Sequence, residues 1–178
     1  MTDSIHPKAY VFPDCVIGEN CRIGPYAVVG SLGVWANREE DGSLTRREAK
    51  GKVVIKDEVD IGTLTCIHRG FDSDTVIGEG TFIGPQCNIG HDVKIGKNCI
   101  ILNQSLLSGY VEVGDNARIN IKSVVTQKIK IGSNAVVGMG SLVLNDVPPD
   151  TTVVGRPAIP IDEFRYQRKR LKEIFKNE

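Results

Sequence analysis

An all-β chain, a parallel β-solenoid of triangular cross-section closed by one C-terminal α-helix, is the fold class this sequence predicts. Three observations predict it. An aliphatic residue recurs at every sixth position over a long central stretch, and a small or β-branched residue stands four places after each one. In the last segment the apolar spacing changes to that of a helix.

The aliphatic ladder runs Ile77, Ile83, Ile89, Ile95, Ile101, Leu107, Val113, Ile119, Val125, Ile131, Val137 and Val143. The same pattern begins at Val11, Ile17, Ile23 and Val29 and recurs at Ile55, Ile61 and Ile67. A period of six fits neither an α-helix nor a single half-buried strand. Three short strands joined by tight turns close one coil of 18 residues, and coils stack about 4.8 Å apart through backbone hydrogen bonds. Repeats of this length over the chain give about six coils, a prism roughly 30 Å long. The aliphatic residue points into the prism. The residue at the fourth step (Thr81, Cys87, Val93, Cys99, Ser105 and onward) also points in and must be small. Gly78, Gly84, Gly90, Gly96, Gly114, Gly132 and Gly138 follow ladder residues and are read as relieving the backbone at the turn.

Two interruptions break the ladder. Residues 31–52 are polar, hold the only tryptophan, Trp35, and are read as a loop that wraps a neighbour or borders a site, with a tolerated insertion as the alternative. From Ile67 to Ile77 the step is ten residues, with the surplus around Arg69 to Asp72. Pro148, Pro149, Pro157 and Pro160 end the repeat. Asp162 to Lys176 then reads as an amphipathic helix with Phe164, Leu171, Ile174 and Phe175 on one face, packing on the prism end or on a neighbouring subunit. The domain reading is therefore residues 1–161 as β-helix, with an inserted loop at 31–52, and 162–178 as helix.

Composition narrows the function classes. The 22 basic and 22 acidic residues cancel, so no nucleic-acid or membrane-surface partner is expected. No apolar run is long enough to span a membrane, and Met1 to Lys8 lacks a signal-peptide core, so a soluble cytoplasmic protein is expected. Five cysteines without a CxxC pair argue against disulfides and zinc cages. Cys15, Cys21, Cys87 and Cys99 occupy the small inward position and are read as core fillers.

Of the three histidines, His6 is near a terminus and His68, in CIHRG, reads as loop-stabilising. His91 follows Ile89-Gly90 at a turn, where its side chain points outward. The 18-residue step places Gly109 in the coil above it. An imidazole that takes a proton from an attacking amine or hydroxyl, beneath a backbone N–H that meets an oxyanion, is an arrangement suited to acyl transfer. Asp92 is placed to raise the basicity of His91. A turn histidine beside an aspartate is equally a solvated surface pair, and these residues alone leave both readings open. The same step aligns Asn103, Ile121 and Met139 in a second outward column.

The stretches GVWANREEDG and VVIKDEVDIGTLTCIHRGFDSDTVIGEGTFIGPQCNIGHDVKIG resemble the repeat domain of UDP-3-O-acylglucosamine N-acyltransferase of lipid A synthesis. NIGHDVKIGKNCIILNQSLLSGYVEVG resembles nucleotide-sugar N-acetyltransferases, and IGSNAVVGMGSLVLNDVPPDTTVVGRPAIPI the closing segment of many acetyl-CoA-dependent hexapeptide acetyltransferases. The resemblance implies a left-handed parallel β-helix, a homotrimer with sites in the grooves between prisms, and acetyl-CoA or another acyl-CoA as co-substrate with no metal. It implies His91 as general base, Gly109 as oxyanion donor and Asp92 as the group that raises the basicity of His91. It also implies Ile121 and Met139 as holding pantetheine and Arg156, in GRPA, near the nucleotide end of CoA. The acceptor it implies is an amino sugar, nucleotide-linked.

Departures qualify this. The lipid A enzyme has an acidic residue where Gly84 stands and a histidine where Lys128 stands. The N-terminal acceptor-binding domains of both groups have no counterpart in this sequence, so the 31–52 loop or a neighbouring subunit is expected to supply that role. An N-acetyltransferase is the first expectation. The alternatives are an O-acetyltransferase, an acyl-carrier-protein-dependent N-acyltransferase of lipid A type, and a non-catalytic scaffold. A γ-type carbonic anhydrase needs three histidines about zinc, and the repeat holds only His68 and His91. A histidine base ordinarily titrates near pH 6.5, so a rate falling below about pH 6 is the expected signature.

Overall fold

The structure is a computed structural model that describes residues 4–33 and 35–174, with side chains considered up to Lys172. Short strands line three faces of a prism. The first face stacks eight parallel strands from Ser4–Ile5 to Thr152–Val154, the second seven from Tyr10–Val11 to Leu142–Val143, and the third six from Val16–Ile17 to Lys130–Ile131. Two faces thus exceed the about six coils expected. On the first face the surplus is Ser4–Ile5 at one end and Thr152–Val154 at the other, which lie outside the recognisable repeat.

The register follows the ladder. Ile89 pairs with Leu107, Ile83 with Ile101 and Ile77 with Ile95, each 18 residues apart. The ladder side chains from Ile77 to Val143 are buried, and the small positions Thr81, Cys87, Val93, Cys99, Ser105 and Ala117 are buried beside them. The hydroxyls of Thr81, Ser105 and Ser123 at this position each donate to a backbone carbonyl 15 residues on, as Thr81 Oγ1 does to Gly96 O at 2.9 Å. All five cysteines are free thiols. Cys15 is half-buried, unlike Cys21, Cys87 and Cys99.

The reason for the glycines differs from the one the sequence suggested. The left-handed corner residue comes three places after the ladder residue, at Gln86, Asp92, Asn98, Gln104, Tyr110 and Asn116, with φ between 53° and 61° for Asp92, Asn98, Tyr110 and Asn116. Of the glycines one place after a ladder residue, Gly30 is left-handed, at φ 94°, but the seven from Gly78 to Gly138 are not. They are there because coils touch: a Cβ on Gly90 would lie 2.8 Å from Gly109 N and Leu107 O. Glycine answers the close approach of two backbones rather than a turn geometry.

The helix α1 spans Ile161–Ile174. Its first turn meets the antiparallel pair Thr152–Val154 and Ile159–Pro160 that ends the first face. Phe164 is half-buried there, but Leu171 is 50% exposed, so the expected apolar stripe is only partly used within this chain. The Ile174 side chain, and Phe175 and Lys176, lie outside the described residues. Among the described residues no helix is long and apolar enough to cross a membrane.

Candidate active site

Both interruptions of the repeat leave the prism at one corner, between the second and third faces. Val29 pairs with Ile67 across 38 residues because 31–52 is inserted, and Ile67 pairs with Ile89 across 22 because of residues 69–74. The strands Val28–Ser31, Cys66–His68, Asn88–Ile89 and Leu106–Leu107 all run into this corner. The corner therefore stacks the 31–52 excursion, the loop around Phe71, then His91–Asp92, then Gly109–Tyr110. The excursion contains a small antiparallel hairpin, Ala36–Arg38 with Leu44–Arg46.

His91 is held by its chain neighbour. Its Nδ1 lies 2.9 Å from Asp92 Oδ2, and the Asp92 side chain is fully buried. The left-handed φ of 59° at Asp92 accompanies this inward placement of a carboxylate at a turn. There Asp92 also accepts from the amides of Phe71 at 2.8 Å, Asp72 at 2.9 Å and Ser73 at 2.7 Å, and from Ser73 Oγ at 3.1 Å. Burial pushes the carboxyl up, but the Phe71 amide, His91 and the Ser73 and Asp72 amides outweigh it and hold Asp92 below the usual carboxylate range. An ionised carboxylate can only accept. The ring proton therefore sits on Nδ1, and the Nε2 lone pair is left to take a proton.

Gly109 is packed against that ring. A Cβ at residue 109 would lie 2.3 Å from His91 Cε1 and 2.5 Å from Nε2. The coil-to-coil register is locked here, since Tyr110 N donates to His91 O at 2.9 Å. The Gly109 N–H donates to no group among the described residues. The expected stacking of Gly109 on His91 is present, with an amide available beside the imidazole.

The sequence alone suggested an open turn around His91. The structure encloses it: its side chain is 13% exposed. Phe71, Tyr110 and Trp35 surround the imidazole edge-on, with ring centroids at 4.6, 5.0 and 5.7 Å. Arg47 fastens the hairpin over this cluster. Its guanidinium lies 5.6 Å from both the Trp35 and Phe71 rings, pairs with Asp72, and donates to Tyr110 OH at 3.3 Å. Tyr110 OH in turn donates to Asp72 Oδ2 at 2.6 Å. Burial and the Asp72 carboxylate push the phenol's pKa up, which keeps it a donor. A cavity of about 290 Å³ opens alongside, lined by Leu32, Gly33, Trp35, Ala36, Arg46 and Arg47. The loop at 31–52 therefore borders the His91 corner of its own chain.

Phe71, Asp72, Tyr110 and Arg47 were not singled out from the sequence. The available signal was phase: Val29, Ile67 and Ile89 all belong to the second face, so the residues immediately after each must share a corner.

Ile121, Met139 and Arg156 gather elsewhere. Ile121 and Met139 each follow a strand of the first face and precede one of the second. Gly140 N donates to Ile121 O at 2.8 Å, and Arg156 Nε donates to Gly140 O at 2.7 Å, so the three share one corner, with Met139 72% exposed. Within one chain this corner and the His91 corner lie on opposite sides of the second face. Among the described residues no group of three or more His, Cys, Asp or Glu side chains is placed to hold a metal ion.

The bacterial transferase hexapeptide (six repeats) family matches residues 4–31 and 74–109. UDP-3-O-acylglucosamine N-acyltransferase of Idiomarina loihiensis is 39% identical over 84 residues, covering 47% of this chain and 24% of that protein. The enzyme of the same name from Rhizobium meliloti is 42% identical over 79 residues, 44% of this chain and 22% of that one. The chain thus matches less than a quarter of the length of these relatives. Among solved structures, UDP-N-acetylglucosamine acyltransferase from Bacteroides fragilis superposes with a TM-score of 0.78 at 24% identity, over 93% of this chain and 64% of that one. The Arabidopsis UDP-N-acetylglucosamine acyltransferase gives 0.75 at 30% identity, over 89% and 61%. PerB from Caulobacter crescentus, in complex with CoA and GDP-perosamine, gives 0.53 at 22%, over 90% and 57%. The chain is a left-handed β-helix of hexapeptide repeats, similar over nearly half its length to UDP-3-O-acylglucosamine N-acyltransferases and in fold to nucleotide-sugar acyltransferases.

Proposed function

We propose that the protein is an acyltransferase that moves an acetyl or short acyl group from CoA to the amino group of a nucleotide-linked sugar, with His91 as general base. The observation that carries this reading is the His91–Asp92–Gly109 arrangement: a ring fixed at Nδ1 by a buried carboxylate, a free Nε2, and an unpartnered amide in the coil above. The UDP-3-O-acylglucosamine N-acyltransferase similarity supports an amino-sugar acceptor, and the CoA and GDP-perosamine bound to PerB support the donor and the nucleotide.

In this reading the acceptor amine attacks the thioester carbonyl while Nε2 of His91 takes its proton. The oxyanion of the tetrahedral intermediate is met by the Gly109 N–H. Asp92 stabilises the imidazolium, which then protonates the departing thiol as the carbon–sulfur bond breaks. The aromatic enclosure of Phe71, Tyr110 and Trp35 keeps water from the thioester. The cavity beside Trp35, with Arg46 and Arg47 on its wall, offers the acceptor a place next to His91. Ile121, Met139 and Arg156 hold the CoA arm from a second subunit of a homotrimer, since one chain presents them at a different corner from His91.

The test is thiol release from acetyl-CoA with a panel of UDP- and GDP-amino sugars, beside an arm with acyl-carrier protein as donor. His91→Ala abolishing release supports the reading. Full activity in that variant, or no release with any acceptor together with no CoA binding, overturns it and favours a scaffold.

A further inference from the structure

One coil below His91 lies a second cluster that the acyl-transfer reading does not use. Cys66 lies on the second face, paired with Val28 in one neighbouring coil and Asn88 in the other, and is half-buried. His68, two residues on, brings Nε2 to 3.9 Å from Cys66 Sγ. Ser31 Oγ lies 3.0 Å from His68 Nδ1 and 3.3 Å from Cys66 Sγ. A nucleophile, a base within reach of it, and a third group that fixes the base's other nitrogen is the general layout of an activated nucleophile.

The other described thiols are placed differently. Cys87 and Cys99 are buried and donate to carbonyls, Leu102 O and Gly114 O, both at 3.2 Å. Cys21 is buried and donates to Lys56 O at 3.1 Å. Cys15 approaches Val29 O at 3.6 Å. Burial pushes the thiols of Cys15, Cys87 and Cys99 up. Burial acts on Cys66 too, but hydrogen bonds from His68 and Ser31 outweigh it and the thiol falls below its usual value. His68 is pushed up, chiefly by its hydrogen bond to Cys66, against its burial; the Leu32 backbone and the Asn88 side chain act in the same sense. Arg69, next in the chain, directs its guanidinium away to Gly51 O and Asp14.

We propose that Cys66, with His68 and Ser31, is a nucleophilic thiol site for small electrophiles, with hydrogen peroxide as its natural class of substrate. The thiolate sulfur attacks one peroxide oxygen; a sulfur–oxygen bond forms and the oxygen–oxygen bond breaks. The sulfur is oxidised by two electrons to sulfenic acid, the peroxide is reduced, and the departing hydroxide takes the His68 proton to leave as water. Ser31 ends the strand that leads into the 31–52 hairpin, so an oxygen added at Cys66 crowds the foot of the roof over His91. The site stands independently of the acyl-transfer reading.

The experiment is limiting iodoacetamide on the native protein at neutral pH with peptide mass mapping, then peroxide followed by dimedone. Cys66 is expected to be alkylated about tenfold faster than any other cysteine, because it is half-exposed and within reach of the His68 imidazole and the Ser31 hydroxyl. Its alkylation rate against pH is expected to have a midpoint below the ordinary thiol range, and dimedone to mark Cys66 and to be lost in Cys66→Ser. His68→Gln, checked for native circular dichroism, returns Cys66 to the rate of an ordinary thiol; Ser31→Ala lowers it less. Labelling of Cys66 no faster than Cys15, an ordinary midpoint in the wild type, or a sulfenic acid only at other cysteines overturns the proposal.

Discussion

Gly109 lies so close to His91 that a Cβ on residue 109 would fall 2.3 Å from the imidazole Cε1. Space at this corner is set by two coils whose spacing the hydrogen-bonded ladder fixes, so the backbone cannot retreat to admit a methyl group. In Gly109→Ala the ring must swing, breaking its alignment with Asp92 or moving Nε2. The expected outcome is a loss of about 100-fold in kcat/KM, the usual effect of a misplaced catalytic group. Thiol release from acetyl-CoA measures it, and unchanged far-ultraviolet circular dichroism shows that the prism is intact. Near-wild-type activity would remove Gly109 and the His91 ring position from the mechanism.

Asp92→Asn separates two duties of one carboxylate. The amide's oxygen can still accept, but its nitrogen cannot, so some of the Phe71, Asp72 and Ser73 amides lose their partner. Each buried donor left unpaired costs about 1–3 kcal/mol. Chemical denaturation is expected to show a destabilisation of that order, together with reduced activity because the His91 tautomer is no longer imposed. An Asp92→Asn variant as stable and as active as wild type would contradict both duties.

Acid should expose the same group. Hydrogen bonds hold native Asp92 below its usual value, while the unfolded aspartate titrates near about 3.9. Between those two values the unfolded chain binds more protons, so stability falls as pH falls. The contribution is complete above the unfolded value and is lost as pH drops through the native one. The stability difference between wild type and Asp92→Asn is expected to be level above about pH 5 and to shrink below about pH 4. A difference independent of pH down to about 3 would refute it.

Arg47 joins the hairpin to the prism through Asp72, Tyr110 and two aromatic rings. Arg47→Ala is expected to raise hydrogen exchange and proteolysis within residues 31–52 while leaving the ladder from Ile77 to Val143 protected. Such local opening is the usual behaviour of segments held by few buried contacts. Equal protection of the hairpin in both proteins would show that Arg47 is not its fastener.

Much of the fold and the centre of the site are legible in the sequence, for a physical reason. A parallel stack with a fixed step is a ruler, so counting 18 from His91 reaches Gly109, and counting six from Ile77 marks the core. The ruler fails where the period stops. Trp35, Arg47, Phe71 and Asp72 lie in segments with no period, and only tertiary contact decides where they fold. The glycines mislead in a different way. The backbone's left-handed step is taken by residues such as Asp92 and Tyr110, and the glycines are small because the next coil is near. Cys66 and His68 are two residues apart, but Ser31 reaches them across 35 residues of chain, so only the fold brings the three together.

Trp35 is the only tryptophan in the chain, and its indole lies 5.7 Å from the His91 imidazole. Excited at the red edge, where indole absorbs and the four tyrosines do not, the protein's emission is therefore a spectroscopic signal from a single corner. Any event that lifts the hairpin, fills the neighbouring cavity or changes the charge of the imidazole reports itself as a change in colour or intensity, with no label attached and no background from the rest of the prism.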